Sequence, residues 1–280
     1  MTSRPIPVRL RSLHLYPVKS CHRIDLAAAT LGTRGLEGDR EWMVTTPEGR
    51  FLTQRSHPAL ACIRPERLGD ALRLHCGALP PLEVPAGGDP RWPRRRVRIW
   101  NDEVEAAVAG EATRGWLRAA LGVEADLVRR GAFTVRSASG TASGAPEVPV
   151  DFPDAYPLLV CNVASLEDLN GRLEAPLPMT RFRPNLVIEG LGAYEEDGVA
   201  TLRFGDCELA LVKPCTRCTT TTIDQEHGVP AGSPLEALKA YRWDRTLRGV
   251  TFGQNAAILR GSGRRLQAGM PGVALPREDR

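Results

Sequence analysis

The chain has 280 residues, 42% of them apolar and 25% charged, enough to bury a sizeable core as one large or two smaller domains, which excludes disorder as the dominant state. With 27 glycines, 23 prolines and only 5% aromatics, short elements joined by turns are expected and a coiled coil is excluded. The net charge of +4 conceals a basic excess in residues 1–100, where 17 Lys and Arg, all but one arginine, face 9 Asp and Glu.

The N-terminus carries arginines but no apolar stretch of a signal peptide, and it runs into an alternating strand pattern over 8–15. No apolar run approaches the roughly 20 residues that span a bilayer, so a cytoplasmic protein is expected. Residues 42–46 and 50–53 read as a hairpin about Pro47-Glu-Gly49. Further strands are expected at 73–76, 97–100, 104–107, 126–128, 157–161 and 185–189. Others follow at 201–204, 207–212, 219–223, 256–260 and 273–275. Helices are few. Residues 111–121 place Ala112, Trp116, Leu117, Ala120 and Leu121 on one face, with Gly122 as a stop. Residues 165–173 hold leucines at helical spacing, and 234–242 opens on Ser233-Pro-Leu-Glu236, a capping box with proline at the first helical position. The pattern is α+β and strand-dominated, without the strict alternation of a doubly wound sheet. It divides into an N-terminal unit over 1–110 and a larger unit over 111–280, with a flexible Gly/Ser/Ala/Pro segment at 137–150.

Seven cysteines, an odd number with one Cys-x-x-Cys, do not make a disulfide framework. The Cys-x-x-Cys lies in Lys213-Pro-Cys-Thr-Arg-Cys218. A structural zinc site needs a second ligand pair, and only the adjacent Cys21-His22 offers one. A thioredoxin-like pair needs a helix N-terminus, whereas four threonines follow, a run that favours a strand. Two readings remain: a reactive thiolate favoured by Arg217 and Lys213, suited to a soft transition metal, or two structural cysteines.

In Thr180-Arg-Phe-Arg-Pro-Asn185, proline keeps Arg183 out of the helical region, so an extended turn is expected. Arg183 and Asn185 there offer donors to an anion, or cap an exposed turn. Lys19 and Ser20 in Tyr16-Pro-Val-Lys-Ser20, and Arg40 in Gly38-Asp-Arg40, stand near strand ends where they either converge on a phosphate or form ordinary turns. His227 is a candidate proton donor or an exposed turn residue. The basic run over 91–98 reads as a solvated hairpin, a nucleic-acid contact, or a docking surface for an acidic electron-transfer partner.

Taken together, Tyr16-Pro-Val-Lys-Ser20, Gly38-Asp-Arg40, Phe182-Arg-Pro-Asn185, Cys215-Thr-Arg-Cys218 with Thr221-Thr-Ile-Asp224, and Phe252-Gly-Gln254 resemble the MOSC proteins of the group that includes the mitochondrial amidoxime reducing component and its bacterial relatives. The resemblance covers nearly the whole chain. It implies an N-terminal MOSC β-barrel domain, a C-terminal MOSC β-barrel domain and a molybdenum cofactor, Mo-molybdopterin. It also implies that Cys218 ligates molybdenum, that Thr216 and Arg217 contact the cofactor, that Lys19, Ser20 and Arg40 contact pterin or phosphate, and that Arg183 and Asn185 contact it from the MOSC domain. Cys215 is then structural or supports the site. Where the family shows Asp-Pro-x-Thr-Gly, this chain has Asp224-Gln-Glu-His-Gly228, which is expected to alter the pocket rim. Neither a four-cysteine ferredoxin domain nor the membrane anchor of the mitochondrial members is present in this sequence, so a separate electron-donor protein is expected.

The activity implied is reduction of N-hydroxylated compounds: amidoximes, hydroxylamines or N-hydroxylated bases. The alternative is a sulfur carrier holding a persulfide on Cys218. A non-catalytic protein that binds a partner or nucleic acid through 91–98 is the third reading.

Overall fold

The computed structural model describes residues 4–138 and 147–277, so residues 139–146 of the segment expected to be flexible lie outside the described residues. In chain order the first strand is β1 (Ile6–Leu15). Val8, Leu10, Leu13 and Leu15 of β1 enter the core, with a register shift between Leu10 and Ser12. Next come β2 (Trp42–Thr45), β3 (Arg94–Ile99) and β4 (Asp102–Val108). They are followed by α1 (Glu111–Leu121) and β5 (Asp126–Arg129). Gly122 closes α1 in the left-handed conformation (φ 72°), with its N–H on the Arg118 carbonyl, as the sequence predicts.

The second half contributes β6 (Leu158–Asn162), α2 (Val163–Asn170), β7 (Leu186–Glu189), β8 (Val199–Phe204) and β9 (Cys207–Thr216). It ends with α3 (Leu235–Tyr241), β10 (Gly249–Arg260) and β11 (Pro271–Pro276).

The order β6-β7-β1-β11-β8-β9-β10 closes on itself through pairing of β6 with β10, giving a seven-stranded barrel. Closure removes the free sheet edges. Its interior is an apolar cluster that includes Leu10, Leu13, Val160, Ile188, Leu202, Phe204, Leu209 and Ala256. Beside it, β2, β5, β4 and β3 form a four-stranded sheet, and a three-stranded meander pairs Ala71–His75 with Arg64–Leu68 and Leu82–Pro85. A second core gathers Val18, Trp42, Leu60, Leu74, Leu117 and Leu127. The architecture is therefore strand-dominated with few helices.

Local expectations fare unevenly. Residues 42–46 and 50–53 do turn back on each other, through Thr46 N on Arg50 O and Leu52 N on Val44 O, both 2.8 Å, yet they share only a bridge. The full ladder of β2 runs instead with β5, which buries both faces of Trp42–Thr45. Residues 219–223 are not a strand: Thr219–Thr222 is a 3-10 helix. Threonine hydroxyls bond back to carbonyls three residues earlier, Thr221 Oγ1 to Cys218 O at 2.9 Å and Thr222 Oγ1 to Thr219 O at 2.7 Å. These local bonds outcompete the strand preference of a β-branched run. At α3 the helix starts one residue late; Pro234 is the cap residue, and no capping box forms with Glu236.

The Phe252-Gly-Gln254 motif is structural. Phe252 stacks on Phe182 with centroids 3.9 Å apart, and Gln254 Nε2 donates to Asp197 Oδ1 at 2.6 Å. Gly253 has φ 75°, and a Cβ there would lie 2.7 Å from both Val160 O and Cys161 Sγ. Gly253→Ala is expected to cost about 2–4 kcal/mol, combining the left-handed backbone with overpacking. An unfolding free energy from urea titration within about 1 kcal/mol of wild type contradicts that account.

Candidate functional site

A cleft of about 620 Å³ is lined by Lys19, Ser20, Arg40 and Trp100 together with Arg183, Asn185 and the segment Lys213–Cys218. All eight residues expected to bind or ligate the cofactor line it: Lys19, Ser20, Arg40, Arg183, Asn185, Thr216, Arg217 and Cys218. Backbone strain gathers at the same place. Ser20, Arg40, Trp100 and Arg183 are four of the six non-glycine residues with positive φ among those described. Such conformations persist where surrounding structure over-determines them, as it does at functional sites.

Proline 17 follows the end of β1, and the next residues hook back onto β2 through Lys19 N on Trp42 O at 2.7 Å. This sends the Lys19 side chain inward, where Nζ donates to Phe152 O at 2.9 Å and pairs with Asp154. Burial outweighs that carboxylate and pushes the ammonium down to about 8. The Asp39 carboxylate accepts from Tyr16 N at 2.8 Å and pairs with Arg40, pinning the Gly38-Asp-Arg40 turn to the end of β1. The Arg40 and Arg183 guanidinium groups both lie over the Tyr16 ring, 4.6 and 4.3 Å from its centroid. Burial raises the Tyr16 phenol to about 12 and the Cys21 thiol likewise.

Arg183 is not in an extended turn. Its backbone is left-handed (φ 57°, ψ 47°). Proline excludes only the right-handed helical well, and anchoring on both sides selects the alternative: NH1 donates to Gln225 Oε1 and NH2 to Cys21 O, each at 2.8 Å. Asn185 spends most of its amide on the protein. Its Oδ1 accepts from Arg40 and Leu159 N, and its Nδ2 donates to His14 O at 3.2 Å.

Thr216 ends β9, and Arg217 N donates to Val250 O at 2.8 Å, which turns the next residue out of the sheet. Cys218 is exposed, its Sγ 3.3 Å from Thr220 Oγ1. The cation expected beside Cys218 serves the other cysteine: Arg217 NH1 lies 3.0 Å from Cys215 Sγ, and NH2 donates to Phe182 O at 2.7 Å. Lys213 leans over Tyr156, 5.7 Å from the ring centroid. Arg217 Nε is buried with no partner among the described residues.

The segment after Cys218 is held by buried Arg181, which donates to Thr221 O at 3.0 Å and to Ala231 O. Arg181→Met strands both carbonyls, and a loss of about 2–3 kcal/mol is expected by calorimetry. An unchanged melting temperature means that water replaces the guanidinium freely. The unusual 224–228 turn is tied to the N-terminal half: Gln225 and Gln54 exchange amide bonds at 2.8 and 3.0 Å, and Glu226 pairs with Arg23 and Arg64. His227 extends into solvent beside Asp224 and does not line the cleft.

Trp100, Arg55, Arg136 and Asp154 also line the cleft and escape sequence reasoning. Arg136 lies at the start of the small-residue segment, yet it is buried and donates to Pro153 O at 2.6 Å and Asp102 at 2.7 Å. Arginine immediately before a Ser/Ala/Gly stretch is the one signal that marks it. The basic run over 91–98 is largely neutralised, with Arg91 on Asp89, Arg95 on Asp126, and Arg96 and Arg98 on Glu103. Among the described residues no three His, Cys, Asp or Glu gather to hold a metal, and no helix is long and apolar enough to cross a membrane.

Residues 7–124 match the MOSC N-terminal beta barrel domain, and residues 147–271 match the MOSC domain. The chain is 35% identical over 238 residues to mitochondrial amidoxime-reducing component 1 of Mus musculus, covering 82% of this chain and 70% of that protein. It is 34% identical to the Homo sapiens component 1, over 82% of this chain and 71% of that protein. Against Homo sapiens component 2 the identity is 32%, with the same coverage. With both domains present in order and identity at this level along most of its length, the chain belongs to the MOSC family that includes the amidoxime-reducing components.

Proposed function

We propose that this protein is a molybdenum-cofactor-dependent reductase of N-hydroxylated compounds such as amidoximes, hydroxylamines and N-hydroxylated bases. The observation that carries the reading is the convergence of the exposed Cys218 thiol with Lys19, Arg40, Arg183 and Arg217 on one cleft. The donor set fits the group. A pterin phosphate is dianionic and takes charge-assisted bonds from ammonium and guanidinium groups. The orphaned Nε of Arg217 is a cationic donor of the kind such a group satisfies. A lone cysteine suffices as the protein's metal ligand when a pterin dithiolene supplies the others.

When bound, the cofactor supplies two-electron redox chemistry. The protein's own part is placement. Cys218 presents its thiol to the metal, Lys19 and Ser20 meet the phosphate end from the N-terminal half, and Arg40 and Arg183 add positive charge over Tyr16. Asn185 holds Arg40 in place, and Arg217 ties Cys215 to Phe182 so that Cys218 projects into the cleft. The same reading includes two units meeting across the cleft, a separate electron-donor protein and a cytoplasmic location.

Metal and pterin analysis of protein from a host that makes the cofactor tests this, together with benzamidoxime reduction using a chemical electron donor. Near-stoichiometric molybdenum and pterin with turnover is the expected result. Protein free of both from a competent host sinks the reading, and a labile persulfide on Cys218 would then point to sulfur transfer.

A further inference from the structure

Trp100 breaks the local rule for its position. It is the first of the two residues that join β3 to β4, and its backbone is left-handed (φ 54°). Glycine, asparagine and aspartate dominate such sites, because a side chain with a Cβ is strained there. Trp100 is also one of the few large apolar side chains left exposed, at 41%. A strained, exposed indole on the wall of a cleft is a conflict with folding rules of the kind that marks function.

Its neighbours hold the ring still. Trp100 Nε1 donates to Asp154 Oδ1 at 3.1 Å, and Phe51 packs against it with centroids 5.1 Å apart. The Arg55 guanidinium lies over the ring, 4.4 Å from its centroid. Among the described residues Arg55 is otherwise held only by a 3.4 Å contact with Thr53 Oγ1 and has no carboxylate partner. The indole face therefore already carries a planar N–C–N cation that little else retains.

We infer that Trp100 is a stacking platform for substrate. The planar, conjugated N–C–N group of an amidoxime, an N-hydroxyguanidine or an N-hydroxylated base lies on the indole in place of the Arg55 guanidinium, whose shape it shares. This inference rests on the reductase reading and deepens it: planar N-hydroxylated substrates are preferred over saturated hydroxylamines. The stack is tolerant of ring identity, because every such group has a π face.

Two variants separate a π face from mere bulk. Trp100→Leu keeps apolar volume and loses the face, whereas Trp100→Phe keeps a face. For the holoenzyme, kcat/KM for benzamidoxime relative to a saturated N-alkylhydroxylamine is expected to fall about tenfold in Trp100→Leu and to recover in Trp100→Phe. Equal losses for both substrates in Trp100→Leu overturn the platform. A second readout needs no turnover: benzamidine titrated into the holoenzyme is expected to quench indole fluorescence in wild type, with the change absent in Trp100→Phe. Identical titrations in the two proteins also overturn the inference. Quenching specific to Trp100 in a protein that reduces no N-hydroxylated compound keeps the platform and sinks the reductase reading instead.

Discussion

Cys218→Ser is expected to retain less than about a tenth of the wild-type molybdenum and to lose at least about 100-fold in benzamidoxime turnover, with melting within about 1 °C of wild type. The loss follows from replacing a soft thiolate by a hard, rarely ionised hydroxyl. The unchanged stability follows from geometry: the thiol is exposed and its contact is a 3.3 Å approach to Thr220. Cys215→Ser is the control. Its sulfur accepts from Arg217 NH1, and a serine oxygen accepts equally well, so metal retention is expected to stay within about threefold of wild type. Metal lost in Cys215→Ser but kept in Cys218→Ser would reverse the two roles.

Lys19→Met is the second large effect, and it separates function from stability. The ammonium is buried and held down at about 8, so burial outweighs the help of Asp154. Between pH 8 and the ordinary lysine value the unfolded chain keeps a proton that the folded chain has released. Stability from this group therefore rises with pH across that window, and below pH 8 the folded state bears the full burial penalty. Methionine removes the penalty, on the order of 3 kcal/mol, and strands the Phe152 carbonyl at about 1 kcal/mol. At pH 7 Lys19→Met is thus expected to be more stable by roughly 2 kcal/mol, an advantage that shrinks above pH 8.

Function moves the other way. Losing the buried positive charge is expected to lower pterin content at least about tenfold, since a charge-assisted bond to phosphate is lost. In apo protein, affinity for inorganic phosphate is expected to fall by up to about tenfold per pH unit above 8, with that dependence flattened in the variant. A variant less stable than wild type at pH 7, or one with full pterin content, shows that Lys19 is a structural cation.

The site motifs could be read along the chain because each is a contiguous cluster at an element's end. Tyr16-Pro-Val-Lys-Ser20 follows β1, Gly38-Asp-Arg40 precedes β2, and Cys215-Thr-Arg-Cys218 leaves β9. Their convergence was not readable from spacing, since Lys19 and Asp154 are 135 positions apart and meet only through tertiary structure. Family resemblance, not periodicity, joined them. The partner of Arg217 also escaped: sequence adjacency to Cys218 suggested a contact, whereas the side chain turns toward Cys215.

What the sequence by itself determined is the strand-dominated class, the glycine stop of α1 and the short motifs that supply eight of the residues at the cleft, because composition, local caps and short motifs act within a few residues of each other. What only tertiary structure decided is the closure of the barrel, the true extent of β10 and the place of Trp100. β10 is buried along Val250–Ala257 between β6 and β9, with Gln254 and Asn255 inside, so no alternation announces it. Trp100 reads as the end of an apolar strand, and only the pairing of β3 with β4 sets it at the bend. Thr219–Thr222 is the same lesson in reverse: a strand-favouring run becomes a 3-10 turn because its hydroxyls find nearer carbonyls, at Cys218 and Thr219, and Arg181 reaches in to hold the Thr221 carbonyl. Local preference decides where the chain bends only until longer-range hydrogen bonds offer it a better account of its buried polar groups.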